Sequence, residues 1–236
     1  MGAGRIKGLA WAAALCWLLA ILGLLVASLR GIINDNSYFL RLYQNMDIEA
    51  QIGISPQDCA RAMGAMVGYM EGRRESIQLT VTEYGQEVQM FNQQEIDHMV
   101  DVRALYQGFR LLGNIGLVFL ALLLVFLWCR WPWLVGCIRR GWWIALGIFG
   151  VLLLLLGTYA LVDFNDFWTR FHHVFFTNDL WLMDYATCRM IRICPLELFS
   201  GLIGRFTLLG LGGMGAVSLV VVLSKNRKYR REQRKA

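Results

Sequence analysis

Charge is scarce in this sequence. Only 17% of its 236 residues are charged, against 57% hydrophobic, and mean hydropathy is +0.47. A chain this short cannot bury that much apolar surface in a water-soluble core, so an ordinary soluble domain is excluded. Several chemistries lack their signatures as well. There is no GxSxG elbow for a serine hydrolase, no HExxH or clustered Cys/His set for zinc, and no glycine-rich phosphate loop. The six cysteines show no CxxC spacing. Histidines number three, and none lies inside a long apolar run. Acidic residues and histidines are missing from the middle of those runs, which argues against a proton-coupled transporter or an ion pump.

What is present is membrane-like. Residues 9–29, 111–128, 142–162 and 206–223 are apolar runs near the ~20 residues that a helix needs to cross a bilayer. Without water, each must satisfy its backbone groups internally, as a helix does. Arg5, Lys7, Arg130, Arg139, Arg140 and a tail with Lys225, Arg227, Lys228, Arg230, Arg231, Arg234 and Lys235 fall on one side of this four-span arrangement. Glu232 is the sole acid there, so the positive-inside rule makes that side cytoplasmic. The net charge of +6 is therefore a topology signal. A basic tail beside a span fits anionic lipid headgroups rather than nucleic acid.

The fold expected is an α-helical integral membrane protein, four transmembrane helices with a small extracellular α+β cap. Its segments are the N-terminus and first span (1–29), the cap (30–110), the second span (111–128), a cytoplasmic loop (129–141) and the third span (142–162). An extracellular histidine and aromatic loop (163–205), the fourth span (206–223) and a basic cytoplasmic tail (224–236) complete it. A cleaved signal peptide also fits the first run, with small residues at Ala27-Ser28, but its length and the consistent four-span count favour an anchor.

Within the cap, Tyr38, Phe39 and Tyr43 suit an interfacial aromatic belt. Ser55-Pro56 with Asp58 opens a helix whose Met63, Met66, Val67 and Met70 recur at helical spacing, a packing stripe that Gly72 ends. Ile77, Leu79 and Val81 alternate with polar residues, and Gly85 turns the chain back along 87–91 as a hairpin. Asn92 and Glu95 form a cap-and-acid pair opening the next helix. Gly113 and Gly116 in the second span, and Gly210, Gly212, Gly213 and Ala216 in the fourth, permit close helix approach. Cys59, Cys188 and Cys194 are external, and a Cys188–Cys194 bridge is left open.

Residues 171–184, FHHVFFTNDLWLMD, carry the chemistry. His172 and His173 stand among Phe171, Phe175, Phe176 and Trp181, with Phe164, Phe167 and Trp168 just upstream. That density of rings exceeds a belt's needs and suits a site that holds acyl chains and excludes water. His98 shares a helix face with Glu95, Asp101 and Leu105. Imidazole suits proton transfer near neutral pH. Asp101 is placed to orient His98, and Asp179 or Asp184 to orient His172. Asn178 offers a neutral donor to a developing oxyanion. Adjacent His172 and His173 without a third ligand make a poor metal site.

The stretch Glu95-Ile-Asp-His-Met-Val-Asp-Val102, together with residues 171–184 and the Gly53-Ile54-Ser55 lead into a helix, resembles the bacterial lipoprotein intramolecular transacylases. Downstream the chain departs from that family's Pro-Glu-x-Phe-Phe ending, reading Cys194-Pro-Leu-Glu-Leu-Phe199. The resemblance implies a bacterial cytoplasmic-membrane enzyme with both termini cytoplasmic and its active site on the extracellular face. It would move the sn-2 acyl chain of a diacylglyceryl-cysteine lipoprotein to the α-amino group of the same cysteine, giving a lyso-form N-acyl lipoprotein. His98 and His172 would be the catalytic pair, with His173 at a variable position. Glu95, Asp101, Asn178, Asp179 and Asp184 would support them, and Phe171, Phe175, Phe176 and Trp181 would contact substrate. Diacylated lipoproteins and membrane lipids would be the partners, and no cofactor or metal is called for. One histidine working neutral and the other protonated implies a bell-shaped pH profile. An acyl hydrolase, an intermolecular acyltransferase and a non-enzymatic lipoprotein-binding membrane protein remain alternatives.

Overall fold

The structure, a computed structural model, describes residues 3–128 and 131–233, and side chains only as far as Ser224. Cys129 and Arg130 of the expected cytoplasmic loop, and the basic side chains of the tail, lie outside the described residues. In chain order the elements are α1 (Ala3–Ile33), α2 (Asn36–Asn45), α3 (Ile48–Ile52), α4 (Pro56–Met70), β1 (Thr80–Glu83), β2 (Gln86–Gln89) and α5 (Gln93–Phe126). They continue with α6 (Pro132–Val162), α7 (Phe164–Phe175), α8 (Arg189–Ile193) and α9 (Leu196–Gln233). Among the described residues four helices are long and apolar enough to cross a membrane, α1, α5, α6 and α9. The protein is mostly helical among the described residues, with one small two-stranded sheet.

The chain divides into two compact units. The first takes the chain up to Ser28, Arg110–Phe167 and the chain from Thr207. Its core centres on Trp17 and Trp142, fully buried and edge-on with centroids 4.9 Å apart. Each indole N–H finds a partner, as buried tryptophans require: Trp17 donates to the Ile138 carbonyl (2.9 Å) and Trp142 to Ser218 Oγ (3.2 Å). Gly116 meets α1 so closely that an added Cβ would stand 1.9 Å from the Leu19 carbonyl oxygen. Gly113 is crowded by Val26 in the same way, as the small-residue pattern of the second span predicts. In the fourth span the pattern divides: a Cβ on Gly210 would meet Leu25 at 3.1 Å and one on Gly213 would meet Leu24 at 3.8 Å, whereas Gly212 faces open space. Leu152–Leu156, Leu161 and Val162 of α6 are exposed, a continuous apolar surface that suits lipid and not water.

The second unit takes Leu29–Phe109 and Trp168–Phe206. Its core gathers Phe39, Tyr43, Ile48, Ile54, Cys59, Ile77, Met90, Ile193 and Leu198. Tyr38, Phe39 and Tyr43 are buried here rather than forming an exposed belt. Phe39 and Tyr43 are four residues apart and share one face of the amphipathic α2, which packs on α4. Tyr43 also donates to the Ile193 carbonyl at 2.6 Å, a bond a headgroup-level tyrosine would make with water.

α4 starts as its sequence dictates, with Ser55 Oγ accepting the Asp58 N–H (3.1 Å) and Pro56 at the first turn. Met63, Met66 and Val67 are buried as packing residues, and Gly72 follows the helix at φ +79°. The hairpin forms with Val81 opposite Val88. Its ladder begins at Thr80 and not at Ile77, because the Gln78 side chain takes over the pairing. Gln78 Oε1 accepts the Phe91 N–H (3.1 Å) while its Nε2 donates to the Phe91 carbonyl (2.7 Å). Tyr84 and Gly85 both have positive φ, the twist a two-residue hairpin turn needs. Cys188 and Cys194 are both free thiols.

Candidate active site

Local chemistry fixes where α5 begins. The Asn92 N–H donates to Glu95 Oε2 (2.7 Å) and the Glu95 N–H to Asn92 Oδ1 (3.0 Å), a reciprocal capping box. Glu95 is fully buried, and its other oxygen accepts the Met190 N–H. This carboxylate therefore ties the start of α5 to α8. It is committed to backbone donors, not to His98 one turn further on.

His98 is buried near the start of α5, and His172 is buried in the last turn of α7. Their ring centroids lie 6.4 Å apart, with planes inclined by 32°. Phe176 flanks both, at 5.3 Å from His98 and 5.6 Å from His172. Three more rings enclose His172: Trp168 at 4.5 Å edge-on, Phe171 at 5.4 Å edge-on and Trp181 stacked at 4.6 Å. His173, next in sequence, is exposed and meets Trp181 edge-on. Adjacent residues on a helix point about 100° apart, which is why only one of the two reaches the cluster.

The orienting partners differ from the expected carboxylates. His172 Nδ1–H donates to the Trp168 carbonyl, four residues back in its own helix, at 2.7 Å. That leaves Nε2 as the free ring nitrogen. Asp184 instead accepts the Ala186 N–H (2.9 Å), and the exposed Asp179 closes a turn through its carbonyl and the Leu182 N–H (3.0 Å). Asp101 accepts from Asn178 Nδ2 at 2.8 Å, while Asn178 Oδ1 accepts the Leu180 N–H at 3.1 Å. His98 Nδ1 is buried with no hydrogen-bond partner, and so is Trp181 Nε1. Each such orphan ordinarily costs about 1–3 kcal/mol, so two in one cluster call for a reason.

Burial holds both imidazoles below their ordinary pKa, because a charged ring loses its hydration there. Nearby His172 lowers His98 further, and Asp101 partly offsets this. At His172 the Trp168 carbonyl works against the burial by favouring the protonated ring. Both rings are thus poised neutral, a different ground state from one neutral and one charged histidine.

Beside the pair lies a cleft of about 220 Å³, lined by Asp101, Ala104, Leu105, Phe175, Phe176, Thr177 and Asn178. Its wall combines apolar Ala104, Leu105, Phe175 and Phe176 with polar Asp101, Thr177 and Asn178. Phe175 continues the apolar surface to Phe171 (4.9 Å) and Phe109 (5.9 Å), all three partly exposed. Sequence reasoning missed the Trp168 carbonyl and Phe109. A backbone acceptor has no sequence signal, though the i−4 spacing from His172 could have suggested it.

The family model for the lipoprotein intramolecular transacylase Lit matches residues 14–199. The chain belongs to this transacylase family. Its fold agrees: the structure of the membrane integral lipoprotein intramolecular transacylase Lit from Bacillus cereus superposes with a TM-score of 0.69 at 15% identity, covering 100% of both chains. A form of that protein with a histidine-to-arginine mutation gives 0.71 at 14% identity, covering 97% of this chain and 95% of that one. One with a histidine-to-alanine mutation gives 0.67 at 15% identity, covering 99% and 97%. No curated protein sequence matches the chain. As a member of the transacylase family this protein is an enzyme, an acyltransferase in lipoprotein metabolism, and its four apolar helices make it a multi-pass membrane protein.

Proposed function

We propose that His98 and His172 are the acid–base pair of an intramolecular transacylation. The sn-2 acyl chain of a diacylglyceryl-cysteine lipoprotein moves to the α-amino group of that cysteine, leaving a lyso-form N-acyl lipoprotein. The observation that carries this reading is the convergence of two buried imidazoles, 6.4 Å apart, beside a cleft with both apolar and polar lining. A substrate oxygen or nitrogen seated between rings at that separation is within reach of both.

The two ends of the reaction are held on one lipid-modified cysteine, but closing them makes a ring of about eight atoms, which is entropically unfavourable. The protein's contribution is to hold amine and ester together in the cleft beside the pair. His172 Nε2, left bare by the Trp168 bond, takes the amine proton, and the Trp168 carbonyl stabilises the cation formed. The amine nitrogen attacks the sn-2 carbonyl carbon. As the carbon–oxygen bond to glycerol breaks, the proton passes through His98 to the departing glyceryl oxygen. Nothing else is consumed. Phe171, Phe175, Phe176 and Trp181 contact the acyl chains and keep out water, which would turn the transfer into hydrolysis. The positive-inside rule supports a cytoplasmic location for both termini, with the histidines on the outer face.

The test is fragmentation mass spectrometry of a synthetic diacylated lipopeptide incubated with the purified protein. Intact mass is blind to an isomerisation. Gain of one acyl chain on the N-terminal fragments, with its loss from the glyceryl group, is expected. His98→Asn and His172→Asn should each lower the rate by about 10²–10⁴-fold, the usual weight of acid–base catalysis. Full activity in both variants, or release of free fatty acid by the native protein, would sink the proposal.

A further inference from the structure

Ester aminolysis passes through a tetrahedral intermediate whose carbonyl oxygen becomes an anion, and a donor aimed at that oxygen supplies much of the rate. Asn178, the sequence's choice, spends an amide N–H on Asp101 and uses its oxygen on the Leu180 N–H. His172 Nδ1–H is spent on Trp168. Trp181 differs. Its ring stacks on His172 with centroids 4.6 Å apart and planes 24° from parallel. Its Nε1 is buried and has no partner. Indole N–H is a donor only, and buried donors are ordinarily paired. The two tryptophans of the other unit's core obey that rule through Ile138 and Ser218.

From these contacts we infer that Trp181 Nε1–H is the oxyanion donor of the acyl transfer. The inference rests on the acid–base reading above. When the amine nitrogen bonds to the sn-2 carbonyl carbon, the carbonyl π pair moves to oxygen, and that oxygen accepts from the indole. The pair then returns, the carbon–glyceryl oxygen bond breaks, and the amine's proton ends on glycerol. Stacking against His172 holds the indole beside the base. Trp181 thus changes from an acyl-chain contact into a catalytic residue.

Trp181→Phe keeps the stacked ring and removes the donor. Losing one oxyanion donor should lower kcat by about 10²–10³-fold with KM nearly unchanged. The decisive comparison uses two unreactive lipopeptides, one with a phosphonate and one with an ether in place of the sn-2 ester. The native protein should bind the phosphonate, whose anionic oxygen stands in for the intermediate, well above the ether. Trp181→Phe should collapse that ratio and leave ether binding intact. A kcat within about threefold of native, or an unchanged ratio, overturns the inference. Should the variant unfold, indole ¹⁵N–¹H spectra of the native protein decide instead. One indole proton must shift downfield with phosphonate and not with ether; an unshifted set overturns the inference. Failure of the underlying reading looks different: His98→Asn and His172→Asn would then retain activity whatever Trp181→Phe does.

Discussion

At the scale of the residue, the environment of the two imidazoles sets the pH response. Burial lowers both values from the ordinary imidazole range. The base works neutral, so the rate should rise with pH through a value below the ordinary imidazole range and then level off, with no alkaline limb from the second ring. A profile of rate against pH in detergent checks this, and a falling limb near neutrality would restore the bell expected from sequence. The same shift enters stability. Unfolded imidazoles titrate near ~6.5 and the folded ones lower, so between these values the unfolded chain binds more protons. The stabilisation is complete above that window and is lost as pH falls through it. Thermal unfolding should therefore occur at lower temperature at pH 5 than at pH 7, and the drop should shrink in His98→Asn. The histidines were legible in the sequence as candidates. Their neutrality was not, because desolvation depends on which rings close over them.

At the scale of the element, local chemistry is written in the sequence, and its reach is not. The Asn92/Glu95 box is readable from spacing alone, yet Glu95 also secures the Met190 N–H of α8. Glu95→Ala removes a cap, worth about 1 kcal/mol, and strands a buried donor, about 1–3 kcal/mol more. A thermal shift assay should show this as a clear loss of stability, larger than a cap alone would give. The hairpin tip carries a second constraint. Gly53 has φ +71°, and a Cβ there would stand 2.6 Å from the Tyr84 ring, which packs over it. Gly53→Ala should consequently destabilise the Ile54–Glu83 bridge and lower the unfolding temperature, whereas Gly85→Ala meets nothing and pays only its backbone strain.

At the scale of the whole molecule, membrane crossing and close helix contact dominate. Gly116 is pressed against the Leu19 carbonyl, so Gly116→Leu cannot be absorbed by a rotamer change and should abolish a folded, monodisperse protein in detergent. Gly212→Leu, facing open space, should be tolerated, and size-exclusion profiles of the two variants check the contrast. The proposed orientation has its own test. Glu87→Cys, exposed on β2, should react with a membrane-impermeant maleimide in intact spheroplasts, while a tag after the basic tail should stay protected from protease.

The sequence by itself determined the four apolar helices, the caps of α4 and α5, the hairpin and the histidine-bearing stretches. Each follows from periodicity or from groups within a few residues of one another, where the backbone alone sets the geometry. Only tertiary structure decided the rest. It buried Tyr38, Phe39 and Tyr43, gave Glu95 to Met190 and Asp101 to Asn178, and set His98 opposite His172 while turning His173 away. It also left Trp181 Nε1 without a partner. The physical reason is common to all of these. A polar side chain takes whichever complementary group packing brings within hydrogen-bond reach. For Glu95 and Asp101 that group lies far along the chain, and for His172 it is a backbone carbonyl that no side-chain pattern reveals.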